Sequence, residues 1–64
     1  MADYTRDVKK QLGNNGFAFH RRGKGDHDIW RNPHTKISVS VDGSIKSRHS
    51  ANAVMKEAGI NHRF

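Results

Sequence analysis

The sequence predicts an α+β domain with the element order α-β-β-β-α, in which two helices cover one face of a three-stranded antiparallel sheet. Two segments with helical apolar spacing enclose three short segments with strand spacing, and turn residues separate all five. Helices that each carry one apolar stripe must pack on the sheet to bury it. Because 64 residues are enough for one small domain, we expect residues 1–64 to form a single domain, with 61–64 as a tail.

The first helix is predicted from Tyr4, Val8 and Leu12, which lie four residues apart and form one apolar stripe. Asp3 precedes the stripe and can cap the helix, because its carboxylate accepts hydrogen bonds from free backbone N–H groups. The sequence Gly-Asn-Asn-Gly at 13–16 ends the helix, since both residue types tolerate the left-handed conformation.

The first two strands each contain a pair of large apolar residues. Phe17 and Phe19 alternate with smaller or polar neighbours, which is strand periodicity, and Ile29 and Trp30 mark a second strand. The second strand ends at Asn-Pro, 32–33, because proline cannot donate to the ladder. In so small a protein we expect Phe19, Ile29 and Trp30 to be core residues. For Phe19 and Trp30 the alternative is stacking on nucleic-acid bases.

The third strand is the most regular, because apolar residues alternate with serines in Ile-Ser-Val-Ser-Val, 37–41. One face of this strand is apolar and the other carries hydroxyl groups, so we expect a sheet with one covered and one open face. A second helix follows, which Ser50 can cap and Gly59 ends, with Ile60 in the accompanying hydrophobic contact. This arrangement is the plan of a double-stranded-RNA-binding-like fold.

The composition is strongly basic and lacks cysteine. Twelve Lys and Arg against six Asp and Glu give a formal net charge of +6, which favours polyanionic partners, and nucleic acid first. The absence of cysteine excludes a disulfide framework, a cysteine-rich zinc site and a thiol nucleophile. No apolar run is longer than Phe-Ala-Phe at 17–19, so neither a signal peptide nor a membrane span is predicted. We therefore expect a cytoplasmic protein that does not associate with membranes.

No metal site, cofactor site or nucleophilic triad is predicted. None of the five histidines forms the i, i+4 pair with glutamate of a helical zinc motif. Asp26, His27 and Asp28 carry suitable ligand atoms, but neighbouring strand residues point to opposite faces, so the three do not converge. No serine stands in a nucleophile-elbow sequence, and Gly-Lys-Gly at 23–25 is too short for a phosphate loop and precedes a strand.

His27 is the candidate for acid–base chemistry. An imidazole takes and returns protons near neutral pH, and RNA supplies its own nucleophile, the ribose 2′-hydroxyl. Three cations precede the histidine: Arg21, Arg22 and Lys24. They can hold a phosphate and favour the extra negative charge of the transition state, while Gly23 and Gly25 let the backbone approach it closely. The alternative is that His27 is a solvated surface residue and that the cations form an ordinary strand end.

Four segments stand out by their order and spacing: LGNNGF at 12–17, RRGKGDHDIW at 21–30, KISVSV at 36–41 and NAVMKEAGI at 52–60. Together they resemble the HicA family of bacterial toxins from type II toxin–antitoxin systems, and the resemblance extends from about Val8 to Ile60. It implies an mRNA-cleaving ribonuclease that acts without a metal and is held inactive by a HicB antitoxin. The family's catalytic histidine corresponds to His27.

We therefore expect a ribonuclease toxin that acts on mRNA, needs no cofactor and is neutralised by a HicB-type antitoxin. The residues expected to bind RNA around the general acid/base His27 are Arg21, Arg22, Gly23, Lys24 and Gly25, with Lys46 and Arg48 extending the phosphate-binding surface. The alternative is a non-catalytic RNA-binding module that uses the same basic face. The sequence departs from many relatives in two places. Asp26 stands where they have a serine, and Val-Asp-Gly at 41–43 stands where they have a proline and a further histidine.

Overall fold

The computed structural model describes residues 3–64 and contains five regular elements. They are, in chain order, helix α1 (Thr5–Asn14), strands β1 (Ala18–Arg22), β2 (Asp28–Arg31) and β3 (Ser38–Val41), and helix α2 (Arg48–Ala58). The strands form one antiparallel sheet in the order β1-β2-β3. The predicted α+β class and the α-β-β-β-α order are therefore confirmed. Neither of the two helices within residues 3–64 is long and apolar enough to cross a membrane.

The core lies between the two helices and one face of the sheet. Along β3, Val39 and Val41 are buried while Ser38 and Ser40 are exposed, which confirms the predicted apolar and hydroxyl faces. Helix α2 packs against β3 and against α1. The buried apolar side chains are Val8, Leu12, Phe17, Val39, Val41, Ile45, Ala51, Met55 and Ala58. Both helices contribute to this cluster, so the hydroxyl-bearing face of the sheet stays open.

The two faces of the sheet separate Ile29 from Trp30. Directly paired residues of an antiparallel sheet share a face, and β2 pairs Trp30 with Val39 and Ile29 with Ser40. Trp30 packs against the core, as predicted. Ile29 lies on the open face beside the serines, so its prediction as a core residue is wrong. Two adjacent apolar residues look alike in the sequence, but a strand directs them to opposite faces.

Phe19 is the second residue wrongly predicted to be core. It pairs with Trp30 and so belongs to the face that carries the helices, yet it is 54% exposed. Strand β1 is an edge strand, and α2 packs over the opposite edge, β3. A register shift between Phe19 and Arg21 leaves His20 as a bulge. The buried phenylalanine is Phe17, which precedes the strand by one residue.

Both helices begin with caps other than the predicted ones. Tyr4 occupies the N-cap position of α1, and Asp3 lies one residue further out, where its Oδ1 accepts from the Thr5 N–H at 3.0 Å. Helix α2 begins earlier than predicted and is capped by Ser47 instead of Ser50. The Ser47 hydroxyl oxygen accepts from the N–H groups two and three residues later, at 3.1 and 3.4 Å. Either serine has the right chemistry, and the chain path after β3 selects the first.

Helix α2 ends at Gly59 as predicted, with a left-handed φ of 74°. The Ile60 N–H then donates to the Met55 carbonyl at 2.9 Å, and the Ile60 side chain packs against the core. Residues 61–64, predicted as a tail, contain no helix or strand, but Phe64 is anchored. Its ring lies edge-on to Tyr4 at a centroid distance of 5.6 Å, and its N–H donates to Asn52 Oδ1 at 2.8 Å.

The hairpin between β2 and β3 is organised by Asn32, which is buried. Its Oδ1 accepts from the N–H groups of His34 and Thr35 at 2.8 and 3.3 Å, which fixes the turn. Its Nδ2 donates to the Asn15 carbonyl at 3.1 Å, which ties the turn to the end of α1. This one side chain therefore holds the turn between β2 and β3 in place against the end of the first helix.

Candidate active site

His27 lies at the end of a tight turn between β1 and β2. The Gly23 N–H donates to the His27 carbonyl at 2.8 Å, and the His27 N–H donates to the Lys24 carbonyl at 3.3 Å. Gly25 has a φ of 66°, a conformation that favours glycine. A side chain on Gly23 would place its Cβ 3.1 Å from the His27 carbonyl oxygen. Both glycines are therefore needed for the turn that presents the histidine.

The imidazole of His27 projects from the open face of the sheet. Residues two apart on a strand share a face, so His27 follows Ile29, which pairs with Ser40 on the hydroxyl side. The Ser40 hydroxyl oxygen lies 3.4 Å from His27 Nδ1, in agreement with that placement. Ile29 is not a core residue, so a side chain on the same face as Ile29 points away from the core. The histidine is reachable from solvent on the side without helices.

Asp42 holds the histidine from the end of β3. Its Oδ1 lies 2.6 Å from His27 Nδ1, and the two side chains are 54% and 43% exposed. Asp42 is absent from the predicted site residues, although the sequence carries a signal for it. Once β2 and β3 are aligned so that Asp28 pairs with Val41, the next opposed positions are His27 and Asp42.

The contact with Asp42 decides which imidazole nitrogen is available for chemistry. A carboxylate only accepts hydrogen bonds, so we assign the hydrogen of the neutral ring to Nδ1. The other nitrogen, Nε2, then has a free lone pair and can accept a proton. No hydrogen bond within residues 3–64 occupies Nε2. The pair thus has the arrangement of a histidine base oriented by an aspartate.

Only part of the predicted cationic set surrounds the histidine. Arg21 pairs with Ile29 and so shares the open face with His27, while Lys24 lies exposed in the turn itself. Arg22 pairs with Asp28 and belongs to the opposite face. There its Nε lies 3.9 Å from Asp28 Oδ1. The turn therefore groups Arg21 and Lys24 with His27 and directs Arg22 away from them.

The last two predicted RNA-binding residues lie outside this group. Lys46 belongs to the loop after β3. The hydrogen bonds from Thr5, and to a smaller extent the charge of Lys46, hold the pKa of Asp3 below its usual value. Arg48 is the first residue of α2 and lines a separate depression with His49 and Arg63. Neither cation has a described contact with the turn at 23–27, so their role in the predicted surface remains a proposal.

The two aspartates beside His27 have different structural environments. Asp28 faces the helices, where Lys9 of α1 approaches its Oδ2 to 3.5 Å. Asp26 lies against Gly43 of the loop after β3: a Cβ on Gly43 would be 3.0 Å from both the backbone oxygen and Oδ2 of Asp26. Asp28 thus joins the sheet to α1, while Asp26 brings the loop containing His27 against the loop containing Asp42.

Ligands for a resident metal ion are not gathered anywhere in the described part of the chain. Among residues 3–64, no three His, Asp or Glu side chains come together as a possible coordination set. Asp28 interacts with Lys9 and Arg22 on the face that carries the helices, whereas Asp26 lies against Gly43, so the two aspartates beside His27 do not converge on its ring. The groups that this site brings together are an imidazole, the carboxylate that contacts it and two cations.

The structure is thus that of a small basic α+β domain with an exposed histidine–aspartate pair. Comparison with protein families identifies the chain more closely. The family described as "HicA toxin of bacterial toxin-antitoxin" matches residues 5–60 of the 64-residue chain. The chain therefore belongs to the HicA toxin family, and its role is that of a toxin with a cognate antitoxin. No curated protein and no solved structure gives a significant match.

Proposed function

We propose that this toxin is an endoribonuclease that cleaves mRNA without a metal ion, with His27 as general acid/base. Membership of the HicA toxin family supports the toxin role, and the proposal extends it to a substrate and a reaction. The observation that carries it is the 2.6 Å contact between His27 Nδ1 and Asp42 Oδ1, made on the open face of a basic protein. An oriented imidazole beside two cations suits a reaction whose nucleophile is supplied by RNA.

The proposed reaction is a transfer within the RNA strand. The ribose 2′-oxygen attacks the adjacent phosphorus as Nε2 of His27 takes the hydroxyl proton, so the new P–O2′ bond forms. The P–O5′ bond breaks, and the leaving 5′-oxygen receives a proton from solvent or from the imidazolium. The products are a 2′,3′-cyclic phosphate and a 5′-hydroxyl. Asp42 keeps the ring in the tautomer that this step requires, as general acid–base catalysis needs a positioned group.

Phosphate binding is assigned first to the residues that lie with His27. Arg21, on the open face, and Lys24, in the turn, are proposed to hold the scissile phosphate, while Gly23 and Gly25 keep bulky side chains away from it. Arg22, Lys46 and Arg48 are proposed to contact phosphates further along the RNA, because Arg22 lies on the opposite face of the sheet and the other two belong to the loop after β3 and to α2. Their removal is therefore expected to weaken binding more than it slows the chemical step.

The proposed partner is a HicB-type antitoxin that covers the open face. The formal net charge of +6 favours an acidic docking surface on that partner, and the same charge attracts RNA. A partner that covers His27 and Arg21 excludes RNA directly. Its association rate is expected to fall as the salt concentration rises, because long-range attraction between opposite charges is screened.

The decisive experiment is an RNA cleavage assay with purified protein, labelled mRNA and EDTA. Wild-type protein is expected to produce fragments with 5′-hydroxyl ends, and His27→Ala to lower the rate by about 10²- to 10⁴-fold. His34→Ala is the matched control, because His34 lies exposed in the hairpin at the other end of β2. Undiminished cleavage by folded His27→Ala would refute the mechanism. A band shift without fragments from wild type would favour a non-catalytic RNA-binding module.

A further inference from the structure

A shallow depression lies at the edge of β1, at the end of the sheet away from His27. It has a volume of about 410 Å³ and is lined by Ala18, Phe19, His20, Arg31, Pro33 and Lys36. Ala18 pairs with Arg31 on the open face, whereas Phe19 pairs with Trp30 on the other. The depression therefore lies where both faces of the sheet are accessible, around the outer edge of β1.

Phe19 is the chemically unusual member of this depression. Across residues 3–64 it is the only large hydrophobic residue that is exposed, at 54%. The bulge at His20 interrupts the ladder directly after it, and α2 packs over the other edge of the sheet. An aromatic ring held on a strand and open to solvent is a rigid surface on which a planar group can stack.

The surroundings of Phe19 are cationic. Arg31 and Lys36 line the depression with His20, and no carboxylate does. Arg31 forms no salt bridge with any residue between positions 3 and 64, and its buried Nε has no hydrogen-bond partner there. An aromatic surface beside two uncompensated cations complements a ligand that joins a flat apolar ring to a phosphate. A nucleotide of a single strand has this composition.

We propose that this depression is a base-binding subsite for single-stranded RNA, in which one unpaired base stacks on Phe19 while Arg31 and Lys36 contact the neighbouring phosphates. This inference rests on the proposed function for the identity of the substrate. Arg31 is four positions after His27 on the open face, about 13 Å at the usual strand rise. Phe19 belongs to the other face, so the RNA strand reaches it around the edge of β1, and the stacked base contributes to the choice of cleavage position.

The subsite is tested by binding, which does not depend on cleavage. A fluorescein-labelled, mixed-sequence RNA decamer is titrated with His27→Ala protein, and fluorescence anisotropy gives the dissociation constant. Adding Phe19→Ala is expected to weaken binding about 5- to 100-fold, the range for loss of one base–aromatic stack. Phe19→Trp should keep the parent affinity, and Phe19→Leu should bind as weakly as Phe19→Ala, because leucine is apolar but cannot stack.

Two further RNAs distinguish stacking from other effects. The same sequence as a duplex offers no unpaired base, so Phe19→Ala should leave its affinity unchanged. Among decamers that each carry one abasic position, one should bind the parent protein as weakly as the intact decamer binds Phe19→Ala. Combining that abasic decamer with Phe19→Ala should cause no additional loss of affinity. Melting curves check that all Phe19 variants fold, as expected for so exposed a side chain.

Equal decamer affinity for the parent and Phe19→Ala would overturn the subsite and assign the exposed ring to a protein partner. Undiminished binding by Phe19→Leu would also overturn it, because general hydrophobic contact would then be sufficient. Failure of the proposed function has a different signature, namely unchanged cleavage by His27→Ala in the EDTA assay.

Discussion

The pairing of His27 with Asp42 joins two residues that are 15 positions apart in the chain. Neither is buried, so their interaction depends on the hydrogen bond and on backbone placement more than on a low dielectric. The tight turn fixes one partner, and the end of β3 fixes the other. The carboxylate therefore acts through the ring that it orients, and its removal should be less severe than removal of the imidazole itself.

At the residue scale we predict that Asp42→Asn lowers RNA cleavage by about 10- to 100-fold, which is less than the loss of a buried orienting aspartate costs, because Asp42 is exposed. The amide oxygen can still accept from Nδ1, but the charge is gone and the rotamer that presents nitrogen competes. Initial rates with labelled mRNA measure the effect. Asp26→Asn is the control, because that carboxylate contacts the Gly43 loop and not the imidazole. Equal losses in the two variants would contradict a specific role for Asp42.

The turn at 23–27 and the loop after β3 touch at Gly43. This close approach brings the two halves of the site together, and it leaves no space for a side chain at position 43. A Cβ at position 43 would lie 3.0 Å from the backbone oxygen of Asp26, which cannot rotate away as a long side chain could. The site therefore depends on a glycine that takes no part in the chemistry.

At the element scale, Gly43→Ala is expected to separate the two loops and lower cleavage, with a loss of about 1–3 kcal/mol in unfolding free energy from strain. Cleavage rates and urea denaturation measure both effects. Gly13→Ala is the matched control, because a Cβ there meets nothing within 4 Å and the position is helical. That variant should gain roughly 0.5–1 kcal/mol and keep full activity. Full activity in Gly43→Ala would show that the loops adjust freely.

The hairpin offers a prediction about stability alone. Asn32→Ala removes three hydrogen bonds made by a buried amide and leaves the Asn15 carbonyl without that partner. We expect a loss of about 2 kcal/mol or more, since unsatisfied buried polar groups cost about 1–3 kcal/mol each. Urea denaturation measures it, with His34→Ala as the comparison, because the His34 side chain is exposed and its bond to Asn32 is made by the backbone N–H. Matching midpoints for the two variants would contradict the role given to Asn32.

The element order could be predicted from the sequence because apolar spacing distinguishes helices from strands and because turn residues mark every boundary. The face of the sheet on which each side chain lies is harder to predict. Ile29 and Trp30 are adjacent, and only the pairing with β3 shows which of them is buried. The exposure of Phe19 cannot be predicted from local periodicity, because a bulge and an uncovered edge strand leave no trace there. The contact of Asp42 with His27 depends on strand register, so it can be predicted only after the hairpin is aligned.

Charge is the property that acts over the whole molecule. The chain carries 12 Lys and Arg against six Asp and Glu. Two of those acids, Asp28 and Asp42, already interact with basic partners inside the protein. Cations on the open face and around the β1 edge therefore face outward with little compensation, and a polyanion that binds there releases counterions.

At this scale we predict a strong salt dependence of RNA binding. If Arg21, Lys24, Arg31 and Lys36 each contact a phosphate, the logarithm of the association constant should fall with the logarithm of salt with a slope of about −3, at about −0.7 per contact on single strands. Titrations of His27→Ala with the RNA decamer at several salt concentrations measure it. Adding Lys24→Ala should reduce the slope by about 0.7, whereas Lys56→Ala, an exposed position on α2, should not change it. Identical slopes for the three proteins would contradict the assigned phosphate contacts.

Because side chains alternate between the two faces along β2 and β3, one strand register determines both the core and the site. The pairing that buries Val39 and covers Trp30 is the same pairing that sets His27 opposite Asp42. A slip of one residue between these strands would exchange the two faces, turning serines inward and valines outward. Correct folding and an assembled site are thus one event in this chain. A misregistered molecule loses its hydrophobic core together with its histidine–aspartate pair, so a chain with the wrong strand register is both unstable and inactive.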